Sequence, residues 1–217
     1  MKNLILLAAP AAGKGTLAKT LKEKFGYAHI STGDLLRDAT KKGDELGNKI
    51  ADMMAKGELV TDEIIYELLE RRLQDDDCKN GYILDGFPRN IEQAKKYDEI
   101  LKKLNMDLGC VMELQIDKEI LKVRATGRRI CKDCGAIFHI SSAGIMPKVE
   151  GICDNCGGEL YQRSDDNEES FENRYATYLE KTEPLIKFYE DKGVLVKIDS
   201  SKDPGYTLKQ ALEILEK

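Results

Sequence analysis

Lys14, Asp85, four paired cysteines and a scatter of arginines are the residues from which chemistry could be built. Lys14 sits in Ala8-Ala9-Pro10-Ala11-Ala12-Gly13-Lys14-Gly15-Thr16, after an apolar run, Leu4-Ile5-Leu6-Leu7, and before a helical pattern, Leu17-Ala18-Lys19-Thr20-Leu21. Strand, small-residue loop and helix are the setting in which a P-loop cradles phosphates. Backbone N–H groups ring the anion, the helix N-terminus adds its positive end, and a lysine reaches the β- and γ-phosphates. The match to G-x-x-x-x-G-K-[ST] is imperfect: Ala8 stands at the first glycine, and Gly15 follows the lysine, with the hydroxyl one step later at Thr16. An alanine held at positive φ costs about 1–2 kcal/mol, so the loop either keeps Ala8 at negative φ or carries strain. The plain alternative is a strand-to-helix turn that uses small residues for close packing.

Asp85 ends an apolar run, Tyr82-Ile83-Leu84, and is followed by Gly86-Phe87-Pro88-Arg89. Open α/β sheets place ligand groups at the C-terminal ends of strands, and Walker-B carboxylates hold Mg²⁺ from that position; turn chemistry is the alternative. Cys131-Lys132-Asp133-Cys134 and Cys153-Asp154-Asn155-Cys156 are two Cys-x-x-Cys knuckles, each followed by a glycine. That spacing is that of a structural four-cysteine Zn²⁺ site, closed to catalysis because four sulfurs fill the tetrahedron. His139 is then surplus to ligation, and Cys78 and Cys110 are expected to be buried fillers. The cationic groups Lys14, Arg37, Arg89, Arg124, Arg128, Arg163 and Arg174 exceed what one triphosphate needs. Their convergence would suit two polyphosphates face to face, because phosphoryl transfer is chiefly positioning and charge neutralisation.

The elements that must position these groups follow from periodicity. Strands are expected at 2–7, 28–30, 82–84, 111–116 and 194–198, with helices between them. Gly26 is a C-cap signal, Ser31-Thr32 and Thr61 are helix-start signals, and Asn90 caps the helix after Arg89. A helix over 118–129 would put Arg124 and Arg128 on one face. Pro184 either kinks a long helix or marks a restart. The fold expected is α/β, a doubly wound five-stranded parallel sheet. Two insertions interrupt it: a short helical one over 31–60, its second helix stopping at Gly57, and a Gly- and Cys-rich zinc ribbon over 127–164.

The 217 residues carry a formal charge of −5, a poor match to a nucleic-acid binder. Within the ribbon, Arg128, Arg129, Lys132, Lys148 and Arg163 are nearly balanced by Asp133, Glu150, Asp154 and Glu159 before any thiolate is counted. The sequence has no apolar run of membrane-spanning length and no signal-peptide pattern at its start. A cytoplasmic protein is expected.

Read together, Ala11-Ala12-Gly13-Lys14-Gly15-Thr16, Ser31-Thr32-Gly33-Asp34 with Arg37, Asp85-Gly86-Phe87-Pro88-Arg89 with Gln93, Thr126-Gly127-Arg128-Arg129, Tyr161-Gln162-Arg163 with Asp165-Asp166, and Arg174 resemble the adenylate kinases of the long, zinc-binding bacterial type, over essentially the full chain. The resemblance implies a P-loop NTPase-like fold, a likeness to monomeric enzymes, and reversible transfer from Mg·ATP to AMP giving two ADP. It implies that Ala11, Ala12, Gly13, Lys14, Gly15 and Thr16 hold ATP phosphates, with Arg124, Arg128, Phe138 and Lys202 also on the ATP side. Thr32, Arg37, Gly86, Arg89, Gln93, Arg163 and Arg174 fall to AMP. Lys14, Arg89, Arg128, Arg163, Arg174 and Asp85 surround the transferring group, with Asp85 orienting hydrated Mg²⁺. The core is then 1–30, 61–126 and 165–217, with 31–60 the AMP lobe and 127–164 a zinc-stiffened lid; lid closure is a known property of the family. The sequence departs from the family's usual pattern at Ala8, Leu17 and Thr61, where glycine, glutamine and proline are usual. Another monophosphate acceptor, or a nucleotide-binding scaffold without turnover, are the rival readings.

Overall fold

The computed structural model describes residues 3–55, 60–142, 145–163 and 166–216, without the side chains of 34, 37, 42 and 52–55. The expected stop at Gly57 lies outside the described residues. Strands β1 (Asn3–Leu7), β2 (Ala28–Ser31), β3 (Tyr82–Asp85), β4 (Cys110–Gln115) and, late in the chain, β8 (Leu195–Asp199) form one sheet in the order β2-β3-β1-β4-β8. Every pairing in it is parallel. The doubly wound five-stranded sheet expected from the sequence is therefore the fold.

Alternation along the strands supplies both faces with apolar side chains. Leu4 and Leu6 of β1 point to one side, with Leu17, Ala18 and Leu21 of α1 (Lys14–Phe25), Leu121 and Ala125 of α6 (Lys118–Gly127), Phe171 of α7 (Glu168–Thr177) and Ala211 of α9 (Pro204–Leu215). Ile5 and Leu7 point to the other, with Leu69 and Leu73 of α4 (Asp62–Leu73), Ala94, Tyr97 and Leu101 of α5 (Ile91–Leu104) and Leu185 and Tyr189 of α8 (Pro184–Asp191). A strand buried on both sides needs a continuous apolar run, which is what residues 4–7 provide. Cys78 and Cys110 are buried among these residues as fillers.

The first insertion is a helix pair, α2 (Thr32–Lys42) and α3 (Glu45–Ala55). Its small core, Ala39 and Ile50, is shared with Ile64 of α4. The second is a three-stranded antiparallel ribbon of β5 (Arg128–Cys131), β6 (Ile137–His139) and β7 (Leu160–Tyr161), ordered β6-β5-β7. It has its own cluster of Cys131, Ala136, Phe138, Cys153 and Leu160.

Two local expectations are corrected. α6 ends at Gly127, and Arg128 opens β5 opposite His139. Arg124 and Arg128 therefore do not share a helix face. A Cβ on Gly127 would stand 2.2 Å from His139 Nε2, so the chain passes under that ring only where it lacks a side chain. Pro184 marks a restart: α7 gives way to one π turn, Tyr178–Thr182, closed by Glu183 N–H to Tyr178 O at 2.9 Å, and α8 begins at Pro184. Proline at a helix's first position loses no intrahelical bond.

Candidate functional site

The phosphate loop leaves the C-terminal end of β1 and feeds α1, whose N-cap is Gly13 at φ 93° with no capping side chain. The loop is shaped by its own backbone and by one remote hydroxyl: Ala12 N–H donates to Ala9 O at 3.4 Å, and buried Ser200 Oγ donates to Ala12 O at 2.8 Å. Ala8 is buried and keeps negative φ; the left-handed alanine is Ala11, at φ 65°. Lys14 folds back so that Nζ donates to Ala8 O at 2.9 Å and Ala9 O at 3.2 Å. Gly15 and Thr16 follow in the first turn of α1.

The charges around Lys14 define the site. Burial lowers its pKa; Asp85 opposes that, and the guanidinium groups of Arg89, Arg174 and Arg128 add to it. Asp85 stands at the end of β3, in register with Leu6 of β1 and Ser31 of β2. Burial disfavours its charge, but His29, Lys14 and Arg89 outweigh that and hold the carboxyl below its ordinary range. His29 Nε2 lies 3.5 Å from Asp85 Oδ2, a diagonal cross-strand neighbour because His29 pairs with Ile83 and Ser31 with Asp85.

Beside Asp85 the chain builds a second cluster. Arg89 Nε donates to Gly86 O at 2.8 Å and Nη2 to Thr32 Oγ1 at 3.4 Å, while Thr32 Oγ1 donates to Gly86 O at 3.3 Å. Gly86 has φ 80°, and a Cβ there would come within 3.3 Å of Thr32 Oγ1. Gln93 accepts from Arg89 N–H at 2.7 Å and donates to Asp62 Oδ1 at 2.8 Å. Asn90 caps α5 by accepting from Gln93 N–H at 2.8 Å, as expected. Thr32, Gly86, Arg89 and Gln93 are thus brought together; the side chain of Arg37 lies outside the described residues.

On the ribbon side, Arg128 donates from Nε to Asp166 Oδ2 at 2.9 Å and from Nη2 to Oδ1. Asp166 is fully buried; the paired geometry fixes the guanidinium plane. Arg174, on α7, adds its charge to the Lys14 region. Arg124 is turned elsewhere, donating to the carbonyls of Ser200 at 2.9 Å, Ser201 at 3.4 Å and Lys202 at 2.6 Å. The Lys202 ammonium lies 4.2 Å from the Tyr206 ring centroid. Arg163 is exposed, and its carbonyl accepts from the N–H of Asp166, the partner of Arg128, at 3.1 Å. Phe138 is packed inside the ribbon, 7% exposed, and its neighbour Ile137 is the exposed apolar side chain.

The sulfurs of Cys131, Cys134, Cys153 and Cys156 lie within 4.8 Å of one another. Cys131 and Cys156 are 3.4 Å apart and Cys134 and Cys153 3.5 Å. A disulfide would need about 2.05 Å, whereas zinc–sulfur bonds of about 2.3 Å in a tetrahedron set sulfurs roughly 3.8 Å apart, so the four residues fit a metal ion. His139 is engaged otherwise. Its Nδ1 accepts from Ser141 N–H at 3.1 Å and Ser142 N–H at 3.0 Å, leaving Nε2–H to donate to Val123 O at 3.0 Å. That tautomer is assigned from the network.

A family model for adenylate kinase matches residues 6–194. The chain belongs to the adenylate kinase family. An adenylate kinase of Archaeoglobus fulgidus is 49% identical over 215 residues, 99% of this chain and 98% of that one. One from Caldicellulosiruptor saccharolyticus is 48% identical over 98% of both chains, and one from Alkaliphilus oremlandii 50% identical over 92% of both. The chain is therefore a nucleoside monophosphate kinase, a phosphotransferase of the P-loop NTPase fold. No helix among the described residues is long and apolar enough to cross a membrane.

The partners of four residues of this site are not legible in the sequence. His29 is one apolar-strand residue among many until β2 pairs with β3. Asp62 reads as a helix start, and Ser200 as loop. Asp166 lies in a motif already singled out, but its pairing with Arg128 requires the ribbon to return beside α7.

Proposed function

We propose that this kinase moves a phosphoryl group reversibly from Mg·ATP to AMP, giving two ADP, with donor and acceptor on opposite sides of Lys14. The observation that carries this reading is the convergence of Arg89, Arg128, Arg174 and Asp85 on the Lys14 ammonium from separate parts of the chain. One polyphosphate does not require cations from so many elements, whereas two facing each other do.

On the donor side, residues 11–16 and Lys14 bind the ATP phosphates. Arg124 holds the Ser200–Lys202 carbonyls in place as the floor beside the base, and Arg128 reaches in from the ribbon. On the acceptor side, Thr32, Gly86, Arg89 and Gln93 hold AMP, with Arg37 adjoining. Gln93 keeps a second amide N–H beside the one given to Asp62 with which to read a base edge. Arg163 completes the group when residues 127–164 close as a lid over the core, with 31–60 as the AMP lobe. Asp85, half-buried and with its carboxyl held below its ordinary range, is the residue that would hold hydrated Mg²⁺, which neutralises phosphate charge when bound. Zn²⁺ fits the four cysteines and would stiffen the ribbon so that it moves as one body.

The test is ADP formation by the purified protein from Mg·ATP with AMP, CMP, UMP or GMP. Rapid turnover with AMP and little with the others is expected. Equal turnover with a pyrimidine monophosphate, or none at all, would reject the reading.

A further inference from the structure

Arg89 is held from a distant part of the chain as well as from α5, the helix that follows it. Arg89 has its N–H fixed by Gln93 at 2.7 Å, four residues on. Its carbonyl accepts from Thr182 Oγ1 at 2.8 Å, across 93 residues of sequence. Thr182 is the last residue of the π turn between α7 and α8. An inserted residue turns the side chains that follow by about 100° relative to an unbroken α-helix. The π turn is thus what sets the direction in which Thr182 leaves the rod. Two turns earlier the same rod carries Arg174, whose charge acts on Lys14. One rod therefore bears Arg174 and the hydroxyl that pins the backbone of Arg89.

We propose that Thr182 is a positioning residue for Arg89: the π turn exists to deliver its hydroxyl to the Arg89 carbonyl, so that the guanidinium meets the AMP phosphate in register with Arg174. Thr182 touches neither nucleotide. The inference rests on the reading of Arg89 as an AMP-side group.

Steady-state kinetics on Thr182→Val, Thr182→Ser, Arg89→Ala and the double variant Arg89→Ala/Thr182→Val test it, with AMP and ATP varied separately. Valine keeps the branched shape in the turn and removes the donor. Thr182→Val should raise KM for AMP about 3- to 10-fold, the scale of one neutral hydrogen bond, with KM for ATP unmoved and Thr182→Ser close to the parent. In the Arg89→Ala background the valine substitution should add nothing, the mark of two residues acting as one unit. A general packing role predicts instead that both KM values shift together and that the effects add, and either result overturns the proposal. If Thr182→Val folds poorly, Thr182→Ser carries the test through a conserved AMP KM, and Thr182→Ala replaces valine. A selective effect of Arg89→Ala beside a silent Thr182→Val sinks this inference alone. An unselective Arg89→Ala sinks the parent reading and this one with it.

Discussion

Lys14 is held against the carbonyls of its own loop, and its charge state is set by groups brought from elsewhere. Burial and three arginines push its pKa down, while Asp85 pulls it up. The charged form of a group with a lowered pKa is lost as pH rises through that value. Asp85→Asn removes the opposing charge, so Lys14 should lose its proton at a lower pH still. The alkaline limb of activity against pH is expected to move toward neutrality in that variant; an unmoved limb would mean that Lys14 does not set it. Ala11 supplies a second expectation. At φ 65° it bears a left-handed strain of about 1–2 kcal/mol, partly offset in any replacement by the greater chain entropy of glycine. Ala11→Gly should stabilise the protein by about 0.5–1 kcal/mol in urea unfolding, whereas Ala8→Gly, at negative φ, should not.

At the scale of elements, the junction between α6 and the ribbon is built around His139. The ring is buried and held by hydrogen bonds to Val123, Ser141 and Ser142, which leaves it little room to yield to a neighbour. Gly127→Ala would place a Cβ 2.2 Å from Nε2, and overpacking of this kind costs roughly 1–3 kcal/mol. Hydrogen exchange should accelerate at amides near Val123 and Ser142 and stay unchanged in β1 and β4. If Zn²⁺ occupies the four cysteines, as proposed, its removal by a chelator should likewise loosen the ribbon while the five-stranded sheet keeps its protection. The strands of that sheet were legible in the sequence because a continuous apolar run has one good use in a covered parallel sheet. The cysteine knuckles were legible because metal spacing is local. The end of α6 was not, since residues 118–129 keep a helical pattern, and both the pairing of Arg128 with His139 and the close passage of Gly127 under that ring need the ribbon to return. An interruption was visible at Pro184, but the π turn before it was not. Thr32 read as a capping residue by itself, yet its hydroxyl is donated to Gly86 O, a contact that needs β2 beside β3.

Across the whole molecule, the order β2-β3-β1-β4-β8 brings the ends of β1, β3 and β8 to one edge. The phosphate loop, Asp85 and Ser200 therefore share that edge without being near in sequence. The α7–α8 rod and the ribbon then supply the cations that no strand end offers. Under the proposed function, the phosphate loop and Arg128 would serve the donor, and Thr32, Gly86, Arg89 and Gln93, gathered around the end of β3, would serve the acceptor. Arg89→Ala, assayed with AMP and ATP varied in turn, tests that division most directly. Loss of one charged contact to phosphate should raise the KM for AMP roughly 10- to 100-fold with little change in the KM for ATP. Equal changes in both would contradict the placement of the two nucleotides on opposite sides of Lys14.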